Sequence, residues 1–247
     1  MQIYSVRLMT AAVTAFGALL AALSGCGSDR SGPVDAGGAQ GPRHPVVSAL
    51  PATDPTRIPG VGDRLQRRIP SDSGQVLAVY GRGEDSPDST VVLYTKEGPE
   101  WRPVARWDAH NGRNGWTTDH HSGDDRSPVG VFGLSYAGGV LDDPGSRLPY
   151  DQDAYAYAPT IQGEAYEHVF DYVIAIDYNR RPGTVPHDPV RPLGDDKGGG
   201  IWLHLDHGDG TSACVSVPED AMRFLLRTLD PDMHPVMVMG DEKELSA

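Results

Sequence analysis

Two cysteines allow at most one disulfide, and 21 Lys and Arg against 34 Asp and Glu leave the chain short of positive charge. The net charge of -13 repels nucleic-acid phosphates instead of gathering them, so no nucleic-acid partner is expected. Helical periodicity is scarce too. Only one stretch, after Pro218, puts Met222, Leu225, Leu226 and Leu229 at i, i+3, i+4 and i+7 on a single apolar face. No segment repeats, and no His or Cys spacing matches a zinc site, so neither a repeat array nor a metal centre is expected. What is plentiful is Gly (30) and Pro (21), which favour turns and short strands. The expected class is mainly β, with one domain of ~200 residues.

The first residues read as a targeting signal. Arg7 gives a sparse positive region, and Leu8 to Leu23 is apolar or small, too short for a permanent span. The run closes on Leu23-Ser24-Gly25-Cys26, which resembles the lipobox of bacterial lipoproteins, where the Cys is acylated and becomes the mature N-terminus. That resemblance implies a signal peptide over residues 1–26, export, and a membrane anchor on Cys26. Residues 27–56 are rich in Gly, Pro, Ser, Asp and Ala and bury too little to fold. As a flexible tether they reach ~30 Å. A folded domain over 57–240 and an acidic tail at 241–247 follow.

Within the domain, Gln75 to Tyr80 and Thr90 to Tyr94 are β-branched runs around a polar turn, which predicts a hairpin. Trp101 to Trp107 offers another strand, and the turn Gly123 to Pro128 leads into a strand over Val129 to Leu134. Val140 to Glu167 reads as a surface excursion, Val169 to Tyr178 as the most continuous strand, and Asn179 to Gly200 as a loop. Ile201 to Leu205 resumes extended structure, and Pro235 to Met239 closes the domain.

A lipidated Cys26 cannot pair with Cys214, which leaves Cys214 as a lone thiol where paired cysteines are the norm. By composition alone it reads as a small buried hydrophobe. Its surroundings point elsewhere. His204 lies ten residues before Cys214, across the Gly-containing turn His207 to Gly210, and a reversal there would set the two flanks side by side. An imidazole beside a thiol can take its proton, so the dyad predicts some thiolate well below the free-thiol pKa of ~8.5. The small residues Ser212 and Ala213 leave backbone N–H groups open for an oxyanion.

The stretch Gly199-Gly200-Ile201-Trp202-Leu203-His204, followed by Thr211-Ser212-Ala213-Cys214-Val215, resembles the active-site signature of the L,D-transpeptidase (YkuD-type) catalytic domain. Gly112 to Gly115 with Gly123 to Phe132, Ile176 to Asn179 and Leu229 to Pro231 resemble other pieces of that family in order. The resemblance implies a β-sandwich with one short helix after the Cys, and acyl transfer on peptidoglycan stem peptides without metal or organic cofactor. Cys214 would attack the carbonyl before a terminal D-Ala, with His204 as base and then acid. An amine acceptor makes the enzyme a transpeptidase, and water makes it a carboxypeptidase. Ser212 and Ala213 stand where many members have His and Gly, and Ser216 where many have Arg or Asn. These departures support a third reading, a silent lipoprotein that only binds wall peptides. A monomer outside the cytoplasm is the expected state.

Other candidates have plainer readings. Asp206, two residues from His204, would orient the imidazole or serve as a turn aspartate. His110, His120 and His121 read as solvated loop histidines, and His207 as a turn residue. Tyr178 and Asn179 end a strand near the presumed groove, as substrate contacts or loop hydrogen bonds.

Overall fold

A computed structural model describes residues 54–159, 163 and 166–247. The signal segment, the lipobox with Cys26 and nearly all of the tether lie outside the described residues. Packing begins slightly before residue 57, because the Pro55 carbonyl accepts the Trp101 N–H at 2.8 Å.

Three strands, β1 (Gln75–Gly81), β2 (Asp88–Glu97) and β3 (Glu100–His110), form an antiparallel meander that contains the expected hairpin. Pro103, which cannot donate to a ladder, sits where the β2–β3 register shifts between Leu93 and Tyr94. The later strands are short: β4 (Trp116–Thr117), β5 (Ser127–Pro128), β6 (Gly130–Gly133), β7 (Ala137–Gly139), β8 (Tyr150–Gln152), β9 (Val173–Ala175), β10 (Trp202–Leu205), β11 (Val215–Val217) and β12 (Val236–Asp241). Ten of the twelve strands among the described residues make one mixed sheet in the order β6-β12-β1-β2-β3-β11-β10-β9-β7-β8, and β4 pairs with β5 separately. Among the described residues strand makes up 32% against 14% helix, so the fold is mainly β.

The two layers of the sandwich are halves of that one sheet, joined where Ser216 of β11 pairs with His110 of β3. Leu77, Val79, Val91 and Leu93 from one half share a core with Ile174, Leu203 and Val215 from the other. Period-two alternation sends Val76, Ala78, Val92 and Tyr94 to the opposite face, where they pack with Ile58, Val61, Leu65 and Leu245. Each such fully buried Leu or Val contributes ~1.5–3 kcal/mol.

The expected helix is α2 (Glu219–Thr228), entered at Pro218, with Glu219 and Asp220 in its first turn and Arg227 in its last. Its Met222, Leu225 and Leu226 are fully buried, as is Leu229 just beyond it. Two more helices carry too little periodicity to announce themselves: α1 (Asp63–Gln66) and α3 (Glu242–Ser246). The segment read as an acidic tail is thus structured. Asp241 caps α3 by accepting from Lys243 N–H at 3.0 Å and Glu244 N–H at 3.2 Å, and Leu245 is buried.

Two further expectations are corrected. Val140 to Glu167 contains β8 and buries Leu148 and Tyr157, so it is anchored and not only superficial. Val169 to Tyr178 is strand only over β9. Before it, Asp171 N–H turns back to His168 O at 3.1 Å, and after it Asp177 N–H goes to Gly133 O at 3.0 Å. Those bends place Phe170 against β10.

Candidate active site

The strand β10 alternates, with Leu203 and Leu205 entering the main core while Trp202 and His204 face the other way. Phe170 meets both edge-to-face, its ring centroid 5.2 Å from Trp202 and 5.3 Å from His204. His207 stacks on His204 at 6.0 Å with an interplanar angle of 10°, and Tyr166 lies 5.0 Å from His207. His207 therefore belongs to the site and is more than a turn residue. Tyr166, Phe170, His204 and His207, with Cys214, Thr211, Ser212 and Arg113, line a cavity of about 160 Å³.

Cys214 reaches that cavity by a different route from the one expected. A hairpin would make the flanks antiparallel, but β10 and β11 run parallel, with Leu203 opposite Val215 and His204 opposite Ser216. Residues 206–214 loop back to the start of β10 before β11 begins. Cys214 consequently sits at the head of β11, where its Sγ accepts the Trp202 N–H at 3.4 Å and lies 3.9 Å from Gly200 O. His204 and Cys214 share one cavity, and no hydrogen bond joins them among the described residues.

The loop that presents Cys214 is held by hydroxyls. Ser127 of β5 donates to Ala213 O at 2.7 Å and accepts from Gly112 N–H at 2.9 Å. Thr211 donates to Cys214 O at 2.7 Å, and its own backbone N–H goes to Asn111 O at 2.9 Å. In a trans peptide the N–H points opposite to the C=O, so pinning Ala213 O on Ser127 turns the Cys214 N–H away from Ser127. The backbone N–H groups of Ser212, Ala213 and Cys214 donate to no protein acceptor among the described residues. They are the donors an oxyanion would need. Pattern alone assigns no role to Ser127, Thr211 or Phe170. The one signal was that Ser127 and Thr211 fall inside the segments that carry the family resemblance.

Protonation is set by burial. His204 is 4% exposed, and desolvation lowers its pKa to about 4. Its Nδ1 lies 2.8 Å from Leu205 O, an acceptor only, so Nδ1 carries the proton and Nε2 is left as the basic nitrogen. Burial likewise pushes the Cys214 thiol up to about 11, with the Trp202 N–H opposing part of the rise. Both groups are neutral at pH 7. Against the expectation of a thiolate below the free-thiol pKa, burial raises the thiol and no hydrogen bond joins it to the imidazole among the described residues.

No family model and no curated protein matches the chain. Among solved structures, Bd1075 of Bdellovibrio bacteriovorus is 14% identical with a TM-score of 0.39, over 75% of this chain and 52% of that one. Pgp2, the helical cell shape determining protein from Campylobacter jejuni, is 16% identical with a TM-score of 0.41, over 70% and 50%. The chain spans about half the length of each.

The remaining candidates sort by their contacts. Asp206 does not orient His204. Its Oδ1 accepts from Ser216 Oγ at 2.7 Å and faces His110 Nδ1 at 2.7 Å, and its backbone N–H goes to Val217 O. Burial works against its charge, but the bonds from Ser216 and His110 more than offset it and hold the carboxyl below the usual range. His110 is therefore a partner in the β3–β11 junction, not a solvated loop residue. His120 is buried, 3.0 Å from Asp124, with its pKa lowered by desolvation, whereas His121 is exposed as expected. Asn179 is a loop brace: its Nδ2 donates to Gly194 O and Gly198 O, and its Oδ1 accepts from Leu193 N–H. Tyr178 packs edge-on against His120 and Phe132, outside the cavity.

Proposed function

We propose that the chain is a cysteine acyltransferase of the L,D-transpeptidase type acting on peptidoglycan stem peptides. The observation that carries this reading is a thiol and an imidazole lining one cavity beside backbone N–H groups with no protein acceptor among the described residues. With Cys214 and His204 both neutral, proton transfer accompanies attack instead of preceding it. The thiol proton passes to His204 Nε2 as sulfur bonds to the carbonyl carbon before the terminal D-Ala. The N–H groups of the Ser212–Cys214 loop take the oxyanion. Collapse breaks the C–N bond, His204 returns the proton to the departing amine, and a thioester on Cys214 remains. An amine or water then attacks the thioester carbonyl as His204 accepts its proton, the C–S bond breaks, and His204 returns that proton to sulfur, which restores the thiol. An imidazolium in so dry a site is costly, which favours a transient charge over a standing ion pair.

The lipobox-like Leu23-Ser24-Gly25-Cys26 supports a lipid anchor on Cys26 that holds a monomeric domain outside the cytoplasm, facing the wall. A second reading, the silent wall-peptide binder, is favoured by the neutral pair and the missing His204–Cys214 bond. Product analysis with a synthetic stem tetrapeptide separates the readings. Cross-linked product with an added amine acceptor marks a transpeptidase, and D-Ala release without one marks a carboxypeptidase. Bound but unreacted peptide overturns the enzyme reading.

A further inference from the structure

If the cavity takes a stem peptide as proposed above, something must recognise the carboxylate of its last residue. The family position that often carries a cation is here Ser216, which is fully buried and donates to Asp206, so it cannot face a substrate. The cavity has one other candidate. Among the described residues that line it, Arg113 is the one Lys or Arg.

Its backbone is fixed to the nucleophile's own loop. Arg113 N–H donates to Thr211 O at 2.7 Å, and Gly112 forms a parallel bridge with Thr211. Gly210 is required for this approach, since a Cβ there would lie 2.6 Å from Arg113 Cα. Thr211 in turn donates to Cys214 O, so Arg113 and Cys214 are positioned by the same residue. The side chain is 48% exposed, and its charge contact is Asp125 at 3.8 Å from Nε, which leaves the two Nη groups without a carboxylate among the described residues. A planar guanidinium fork in a cavity with no other Lys or Arg among its described lining residues suits a carboxylate better than any neutral amide.

We propose that Arg113 is the specificity residue that selects stem peptides whose leaving residue ends in a free carboxylate. This inference rests on the acyl-transfer reading but has its own readout in binding. Isothermal titration of the full-length Cys214→Ala protein compares a synthetic stem tetrapeptide ending in D-Ala as the free acid with the same peptide as its C-terminal amide. The free acid should bind about tenfold more tightly, the lower end for a charge-assisted pair because the site is half exposed. Arg113→Gln should remove that preference by weakening the acid alone, and Arg113→Lys should keep part of it, with thermal melts unchanged for both. Equal binding of acid and amide, or a preference that survives Arg113→Gln, overturns the inference while leaving turnover by the wild type to stand. Failure of both peptides to bind overturns the functional reading together with it.

Discussion

At the scale of single residues, burial acts on Cys214 and His204 in the same sense, stabilising the neutral form of each. The thiol should therefore resist alkylation by a small uncharged reagent until high pH, with a transition near the pKa of about 11 and not near the free value of ~8.5. His204→Gln should displace that transition little, and stopped-flow alkylation against pH checks both statements. His204 also makes stability depend on acid. Unfolded, it takes up a proton near 6.5, whereas folded it does so only near 4. The unfolded state thus binds more protons across this window, and stability present above pH 6.5 is lost as pH falls through it, by up to ~3 kcal/mol. Thermal melts from pH 7 to pH 4 should show the fall, and His204→Gln should flatten it. That Cys214 and His204 come to one cavity was legible in the sequence from their spacing together with the resemblance of their segments to a known signature. Their protonation was not, because it depends on Phe170, Trp202 and the core below them, which spacing does not report.

Among elements, the contrast lies between α2 and α3. Ten residues with four apolar positions on one face declare α2 in any sequence, and the structure buries that face as written. A five-residue helix anchored by one leucine carries no period, so residues 241–247 read only as charge. Leu245→Ala should cost ~2–3 kcal/mol as a core truncation, and Asp241→Ala ~1 kcal/mol as a lost cap. Chemical denaturation with an unchanged slope would verify both. The β10–β11 pair was misjudged for a related reason. A Gly-containing loop between two extended runs signals reversal, but not whether the second run lies beside the first in antiparallel or parallel register. That choice is made by β3 and β9, which flank the pair through Ser216↔His110 and Trp202↔Ala175.

For the whole molecule, composition alone was enough to give a mainly β domain: abundant Gly and Pro, short β-branched runs and one amphipathic helix allow little else. The continuity of the ten-stranded sheet was hidden, because strand neighbours far apart in sequence leave no local mark. The same folding brings Ser127, Arg113 and Phe170, from three separate segments, to one thiol. Whether that thiol is a nucleophile is the central claim, and a carbapenem tests it, since its strained carbonyl needs only a competent attacking group and a place for the oxyanion. Intact-mass spectrometry of the folded protein after exposure should show one adduct, mapped by peptide digestion to Cys214, absent in Cys214→Ala and much slower to form in His204→Gln. A folded wild type that takes no adduct, or one whose adduct persists in Cys214→Ala, would contradict the claim.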